Sequence, residues 1–150
     1  ARESSLARRG AVLTAVLAAA LAVLLAGCSP APDRETAVRA VLEAAETAAE
    51  ARDVSAAMQL VSEAYGDDAG RDRAALRAFV RGWFALNPRI ELLVAVQGIE
   101  FPESNRARVR LQVASVTRGA GLSVDGDRFV VELLDEGGEW RLLRATRARD

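Results

Sequence analysis

Between Asp33 and Asp150, the spacing of apolar residues changes once, at Pro88, and that change limits the folds available to this part of the chain. Before Pro88, apolar residues recur at intervals of three or four, which is typical of amphipathic helices. After Pro88, they alternate with polar residues, which is typical of strands with one buried face. Helices followed by strands predict an α+β domain, with two to three helices packed on a curved antiparallel sheet of about four strands.

The helices of this domain have recognisable start and stop signals. The first begins with Asp33 as its N-cap and runs to about Arg52, and a short second helix ends near Tyr65-Gly66. The third is capped by Asp72. Its apolar residues follow the helical period without a miss: Leu76, Phe79, Val80, Trp83 and Phe84. Gly82 lies inside this helix, where glycine costs about 1 kcal/mol relative to alanine, so it indicates close approach of a neighbouring backbone.

The strands after Pro88 contain two irregularities. In the first strand the apolar parity changes at Gly98, where a bulge restores one apolar face and bends the strand. The other strands are predicted at Val109–Val113, Phe129–Leu133 and Trp140–Thr146. In the last of them Leu142 and Leu143 are adjacent, so that strand is either buried on both faces or bulged. The stretch Thr117–Asp127 contains glycine and is predicted as a loop.

A segment of a different kind precedes this domain. Ala11–Leu25 is almost entirely apolar, three arginines come before it, and it runs into the sequence Leu25–Cys28. This pattern resembles the signal peptide and lipobox of bacterial lipoproteins, in which the cysteine is lipidated and becomes the first mature residue. The resemblance divides the chain into a removed signal peptide at 1–27, a lipidated Cys28 with a short tether at 28–32, and one domain at 33–150.

Two alternatives remain for the segment before Cys28. A permanent transmembrane helix needs about 20 apolar residues, and Ala11–Gly27 is shorter than that. A cleaved signal without lipidation would leave Cys28 as a free thiol in an oxidising compartment. The lipoprotein interpretation predicts a location in the bacterial cell envelope, anchored by lipid and facing the periplasm, and Ser29 after the cysteine favours the outer membrane.

The composition excludes several classes of chemistry. All 20 basic residues are arginine, so the chain has neither histidine nor lysine. It therefore has no imidazole base, no Ser-His triad, no histidine metal ligand and no Schiff-base lysine. With Cys28 lipidated, thiol nucleophiles, zinc thiolates and disulfides are excluded as well. The aspartate-rich loops lack the spacing of a calcium loop, so no metal and no cofactor is predicted.

The charge balance argues against nucleic-acid binding. Three of the 20 basic residues and one of the 21 acidic residues precede Cys28, which leaves 17 basic against 20 acidic residues and a net charge of −3. Nucleic-acid binders carry instead a basic stripe and a high isoelectric point.

Four features after Cys28 together resemble one superfamily. They are the helix pair Thr36–Tyr65, the acidic-glycine loop Asp67–Gly70, the aromatic helix Leu76–Leu86 and the final-strand pattern Glu139–Leu143. This combination is similar to the nuclear transport factor 2-like superfamily, which includes the SnoaL-like proteins. The resemblance implies a sheet curled into a cone around a pocket beside the first helix, and a dimer formed through the outer sheet face. It also implies either a pocket carboxylate of an isomerase or hydrolase, or binding without chemistry.

Aromatic and acidic side chains supply the candidate site residues. Six aromatic residues either line an apolar pocket or fill the core: Tyr65, Phe79, Trp83, Phe84, Phe129 and Trp140. Tyr65 beside Asp67 and Asp68 resembles a phenol and carboxylate pair, which moves a proton if burial raises an aspartate pKa toward neutrality. The alternative is that these aspartates only cap turns in solvent.

Arginines on the second and fourth strands form a further candidate surface. They are Arg106, Arg108, Arg110, Arg141 and Arg144. If the two strands lie close together, these residues form a basic sheet face suited to anionic lipid headgroups or an acidic partner. The alternative is an outer face neutralised by cross-strand pairs with glutamates.

These patterns support two functional hypotheses. The first is a membrane-anchored envelope lipoprotein whose domain is a non-catalytic ligand-binding or protein-assembly module. Its partners would be the membrane, through the lipid on Cys28, an apolar small molecule or lipid, and a second copy of the chain or an envelope protein. The second hypothesis is a small pocket enzyme of the isomerase or hydrolase type that uses Asp and Tyr for acid–base chemistry.

Overall fold

The computed structural model describes residues 32–117 and 123–148, so the predicted signal peptide and Cys28 lie outside the described residues. Three helices come first: α1 (Arg34–Glu50), α2 (Val54–Gln59) and α3 (Arg73–Leu86). Each begins at an aspartate whose carboxylate accepts a backbone N–H three residues later. This contact satisfies a donor that the first turn leaves unpaired, and it confirms the caps predicted at Asp33 and Asp72. Within the described ranges, no helix is both long and apolar enough to cross a bilayer.

Four strands form one antiparallel sheet in chain order. They are β1 (Glu91–Glu103), β2 (Arg106–Thr117), β3 (Ser123–Asp135) and β4 (Trp140–Arg147). The helices precede this sheet along the chain, which confirms the predicted α+β arrangement. Val38 of α1 packs in one buried cluster with Val109, Leu133 and Trp140 of the sheet. Burial of this apolar face against α1 holds the helical and sheet layers together.

The bulge predicted at Gly98 is present, and the last strand is also bulged, which is one of the two alternatives stated for it. In β1, Val96 pairs with Leu111 and Gly98 with Arg110, so Gln97 is the additional residue. In β4, Leu143 is the additional residue, because the pairing passes directly from Arg144 to Leu142 as β3 advances by one position. Each bulge bends its strand, and together they curve the sheet over the helices.

The second helix is shorter than predicted. It ends at Gln59 instead of continuing to Tyr65-Gly66. The backbone after it turns to the edge of β4, where the N–H of Ser62 donates to the carbonyl of Leu142 at 2.9 Å. The N–H of Gly66 also donates to the carbonyl of Leu143 at 3.2 Å. Pairing with a free sheet edge thus replaces the helical hydrogen bonds that the local sequence favours.

Two further predictions are wrong. The loop predicted over Thr117–Asp127 already belongs to β3 from Ser123 onward, because these residues continue the register with β2. Residues 118–122 lie outside the described residues. Gly82 has no close neighbour among the described residues either, since a Cβ added there would meet none of their atoms within 4 Å. The predicted close approach of a neighbouring backbone is therefore not found in this part of the chain.

The domain has two distinguishable ends. Helix α1 begins beside the end of β1, where the guanidinium of Arg34 lies 4.5 Å from the centre of the Phe101 ring. It ends beside the start of β1, where Glu50 Oε1 accepts the N–H of Leu92 at 3.2 Å. We call the first the hairpin end, because the β1–β2 and β3–β4 turns lie there. The opposite end, marked by Leu92 and Arg147, is the open end.

Candidate functional site

A cavity of about 860 Å³ lies at the open end, and we call it the mouth cavity. Its walls come from the loop between α2 and α3, from α3, and from the open-end residues of all four strands. A second cavity of about 290 Å³, the inner cavity, lies between the helices and the sheet. Leu92 and Val113 line both cavities, so the two spaces adjoin. Glu46 is the one charged side chain among the described residues that line the inner cavity.

Asp67 organises the loop at the mouth. Its side chain is only 1% exposed. Oδ1 accepts the backbone N–H groups of Ala69 at 3.0 Å and Arg71 at 2.9 Å. Oδ2 accepts Nε of Arg71 at 2.7 Å and the hydroxyl of Tyr65 at 3.2 Å. Four donors therefore surround one buried carboxylate, and they fix the conformation of the loop that forms this part of the cavity wall.

The protonation states of Tyr65 and Asp67 fit a structural role better than a role in proton transfer. Burial, followed by the negative charge of Asp67, raises the pKa of Tyr65 to about 12. Burial alone would raise the pKa of Asp67, but the hydrogen bonds and charge of Arg71 outweigh it and hold that pKa below its ordinary value. Asp67 therefore lacks the raised pKa that the catalytic hypothesis requires. Asp68 is exposed.

The structure brings four of the six candidate aromatic residues to the mouth cavity. They are Tyr65, Phe79, Trp83 and Phe129. Phe84 is instead buried on the core side of α3, with its ring 5.8 Å from that of Trp83. Trp140 is buried at the hairpin end, where it meets Phe101 edge-on at 6.0 Å. For these two residues the core interpretation is correct, because consecutive helical residues point about 100° apart and Trp140 starts its strand at the far end.

The sequence analysis missed an ion pair in the cavity wall. Nε of Arg147 donates to Oδ1 of Asp127 at 3.1 Å, and Nη2 of Arg147 donates to Oδ2 of the same carboxylate. Arg147 lies opposite Phe129 in the sheet register, and Asp127 shares the face of Phe129. Strand alternation could have found both residues, but the loop predicted through Asp127 hid the parity.

Arg71 was also missed. It follows the Asp67–Gly70 loop and reaches back to the carboxylate of Asp67. Its guanidinium lies 4.5 Å from the centre of the Phe79 ring. The i,i+4 spacing of Asp67 and Arg71 is a weak signal outside a helix, so the loop conformation decided this contact.

The candidate basic face carries its own counter-charges. Arg106 lies 3.6 Å from Glu103, Arg108 lies 3.2 Å from Glu132, and Arg110 lies 2.6 Å from Glu100. Arg141 contacts Glu139 at 2.6 Å, and Arg144 lies opposite Glu132 in the register. Four of these arginines therefore pair with nearby glutamates, as in the alternative of a neutralised outer face.

The described residues contain no group of three or more side chains placed to hold a metal ion.

No protein-family model matches this sequence, and no curated protein matches it. Solved structures do match in shape. A candidate scytalone dehydratase from Novosphingobium aromaticivorans matches with a TM-score of 0.67 at 15% identity, over 75% of this chain and 81% of that one. A second structure, named after nuclear transport factor 2, matches with a TM-score of 0.63 at 12% identity. The match covers 77% of this chain and 100% of that one. The fold is the nuclear transport factor 2-like cone.

A Bdellovibrio bacteriovorus protein matches this nuclear transport factor 2-like domain as well, with a TM-score of 0.65 at 12% identity. The match covers 75% of this chain and 39% of the Bdellovibrio chain. The present chain thus spans well under half of that larger protein. All three identities lie far below the level at which activity transfers between proteins. The comparisons therefore show the fold, and they say nothing of what the cavities bind.

Proposed function

We propose that this protein is a lipid-anchored envelope protein whose nuclear transport factor 2-like domain binds a small apolar ligand without converting it. The observation that carries the proposal is the adjoining pair of cavities. One has polar and aromatic walls, and the other is lined almost entirely by aliphatic side chains of the helices and the sheet. Ligand pockets in proteins have volumes of about 300–1,000 Å³ with mostly apolar walls. The mouth cavity lies within that range, and the inner cavity lies at its lower limit.

The inner cavity supplies the binding free energy. Leu76, Leu111 and Val131 are among its apolar walls, and they offer little to a polar molecule. An apolar group that enters this space leaves water and contributes roughly 25 cal/mol for each Å² of surface it buries. The mouth cavity then provides the polar contacts that orient the rest of the ligand.

The titratable groups at the mouth favour binding over catalysis. Tyr65 stays protonated at neutral pH because its pKa is about 12, and Asp67 stays ionised because its pKa is lowered. A general acid or base works best when its pKa lies near the operating pH. Neither group meets that condition, so the pair holds the loop in place while the cavity binds.

The proposed tether is short. The lipid on Cys28 would be attached five residues before Asp33, which reaches at most about 17 Å. The domain would therefore stay close to the membrane surface. A second copy of the chain or an envelope protein remains a proposed partner for the outer sheet face.

The test is saturable binding of a neutral apolar fluorophore, N-phenyl-1-naphthylamine, to the mature protein. We expect one site, and we expect Val94→Phe, which adds bulk to the inner cavity wall, to weaken binding about tenfold. Ala95→Phe is the matched control, because Ala95 is exposed on the other face of the same strand. Circular dichroism and urea unfolding of both variants establish that each is folded. Absence of saturable binding, or equal weakening by both variants, contradicts the proposal.

A second candidate function is the acid–base pocket enzyme. It is favoured by the 3.2 Å contact between Tyr65 and Asp67 in the cavity wall and by the shared fold of a candidate dehydratase. Mass spectrometry of the ligand that copurifies with the protein, before and after prolonged incubation, separates the two functions. Unchanged ligand supports the binding module. Conversion that disappears in Tyr65→Phe supports the enzyme.

A further inference from the structure

We propose that the ligand of these cavities is an organic cation, an amine or quaternary ammonium compound whose apolar chain occupies the inner cavity and whose charged head lies at the mouth. This inference rests on the proposed binding function and names the chemical class of the ligand. It is carried by the charge balance and the aromatic faces of the mouth cavity.

Among the described residues, three aspartates and two arginines line the mouth cavity, which gives one negative charge in excess. Asp67 is paired with Arg71 at 2.7 Å, and Asp127 is paired with Arg147 through two contacts. Asp68 lines the same cavity, and no residue within 32–117 or 123–148 forms an ion pair with it. Its carboxylate is therefore available to a cation that enters from solvent.

Aromatic rings line the same cavity as this carboxylate and suit the same kind of ligand. Phe79, Trp83 and Phe129 line the mouth cavity, and 51% of Phe79 is exposed. A cation within about 6 Å of an aromatic ring centre is attracted to the negative face of that ring, most strongly for tryptophan. The molecule already shows this preference, because the Arg71 guanidinium lies over the Phe79 ring at 4.5 Å.

An anionic ligand meets the opposite conditions. At Arg71 or Arg147 it meets a guanidinium whose charge is already paired with an aspartate. It would also lie near the uncompensated charge of Asp68. A neutral ligand with the same chain would use the inner cavity and gain nothing from Asp68. The expected order of affinity is therefore cation, then neutral compound, then anion.

The experiment compares three compounds that share a ten-carbon chain: decyltrimethylammonium, decanol and decanoate. Each displaces N-phenyl-1-naphthylamine from the mature protein below its micelle concentration. We expect the ammonium compound to bind about tenfold more tightly than decanol, and decanoate to bind more weakly than decanol. Added salt should reduce these differences by screening the exposed carboxylate.

Asp68→Asn identifies the responsible group. We expect it to remove the preference for the ammonium compound while leaving the affinity for decanol unchanged. Glu91→Gln is the matched control, since it removes the same charge from an exposed residue at the start of β1 that does not line the mouth cavity. Equal preference in both variants overturns the inference.

The two proposals fail in different ways. If the decyl compounds bind equally, or decanoate binds most tightly, the cation assignment is overturned and the binding function stands. If none of the three binds and the fluorophore shows no saturable site, the binding function itself fails.

Discussion

Replacement of Asp67 by asparagine tests the role assigned to this carboxylate. The asparagine side chain keeps an oxygen where Oδ1 accepts the backbone N–H groups of Ala69 and Arg71. It places an N–H₂ group where Oδ2 accepts Nε of Arg71 at 2.7 Å. Two donors then face each other, whereas the hydroxyl of Tyr65 can rotate to accept. The substitution therefore removes one charged hydrogen bond and the ion pair and spares the rest of the loop.

The expected loss follows from these contacts. A hydrogen bond to a charged group contributes about 1.5–3 kcal/mol, and breaking a fully buried ion pair costs about 3–5 kcal/mol. Arg71 is partly exposed, with 36% of its side chain accessible, so water compensates part of its charge. We expect Asp67→Asn to lower the free energy of unfolding by about 2–3 kcal/mol at pH 7. Urea unfolding followed by the fluorescence of Trp83 and Trp140 measures it.

The same variant has a predicted pH signature. The pKa of Asp67 is lower in the folded protein than its ordinary value of 3.8, so the unfolded chain takes up this proton first as the pH falls. Stabilisation by Asp67 is complete above the unfolded pKa and is lost as the pH falls through the folded pKa. The difference in unfolding free energy between parent and variant should therefore shrink toward pH 3. Asp33, whose pKa is also lowered, is present in both proteins and cancels.

Two results would refute this reasoning. One is a loss below about 0.5 kcal/mol at pH 7, the usual range for exposed substitutions. The other is a difference between parent and variant that stays constant from pH 7 to pH 3. Asp68→Asn is the control, since its exposed carboxylate should leave stability within about 0.5 kcal/mol of the parent.

Three further substitutions test other parts of the molecule. Gly82→Ala should raise the unfolding free energy by about 0.5–1 kcal/mol, because alanine favours the helix and the added Cβ meets no atom of the described residues within 4 Å. An unchanged or lower urea midpoint would contradict the conclusion that there is space for a side chain at this position. Ser62→Ala should cost about 1–2 kcal/mol in the same assay, because the buried hydroxyl donates to Glu136 at 2.5 Å and accepts the N–H of Ala64; a neutral effect would show that this link adds no stability. Cys28→Ala should abolish incorporation of labelled palmitate during expression in bacteria, whereas a Ser29→Ala control should retain it; labelling that persists in Cys28→Ala would disprove the lipid anchor.

Features that depend on a few neighbouring residues could be predicted from the sequence. The caps at Asp33 and Asp72 are local contacts between a side chain and the backbone three residues on. The bulge at Gly98 follows from a parity change within one strand. Such features depend on steric and hydrogen-bonding preferences that act over one or two turns of chain. They were sufficient for the order of elements and for the α+β arrangement.

Most of the candidate site depends on contacts between distant segments. The second helix ends early because the backbone near Ser62 pairs with β4, about 80 residues later in the chain. The pair of Asp127 with Arg147 required the register of β3 with β4. Which of the adjacent residues Trp83 and Phe84 lines the cavity and which is buried depended on how α3 packs in the folded domain.

The sequence by itself therefore determined which side chains are present for chemistry, where the helices start and which strand residues share a face. The tertiary structure decided which aspartates are neutralised and which aromatic rings face an open cavity. The reason is that ion pairing and burial depend on the distance between groups in space, which the conformation of the Asp67–Arg71 loop and the register of β3 with β4 set.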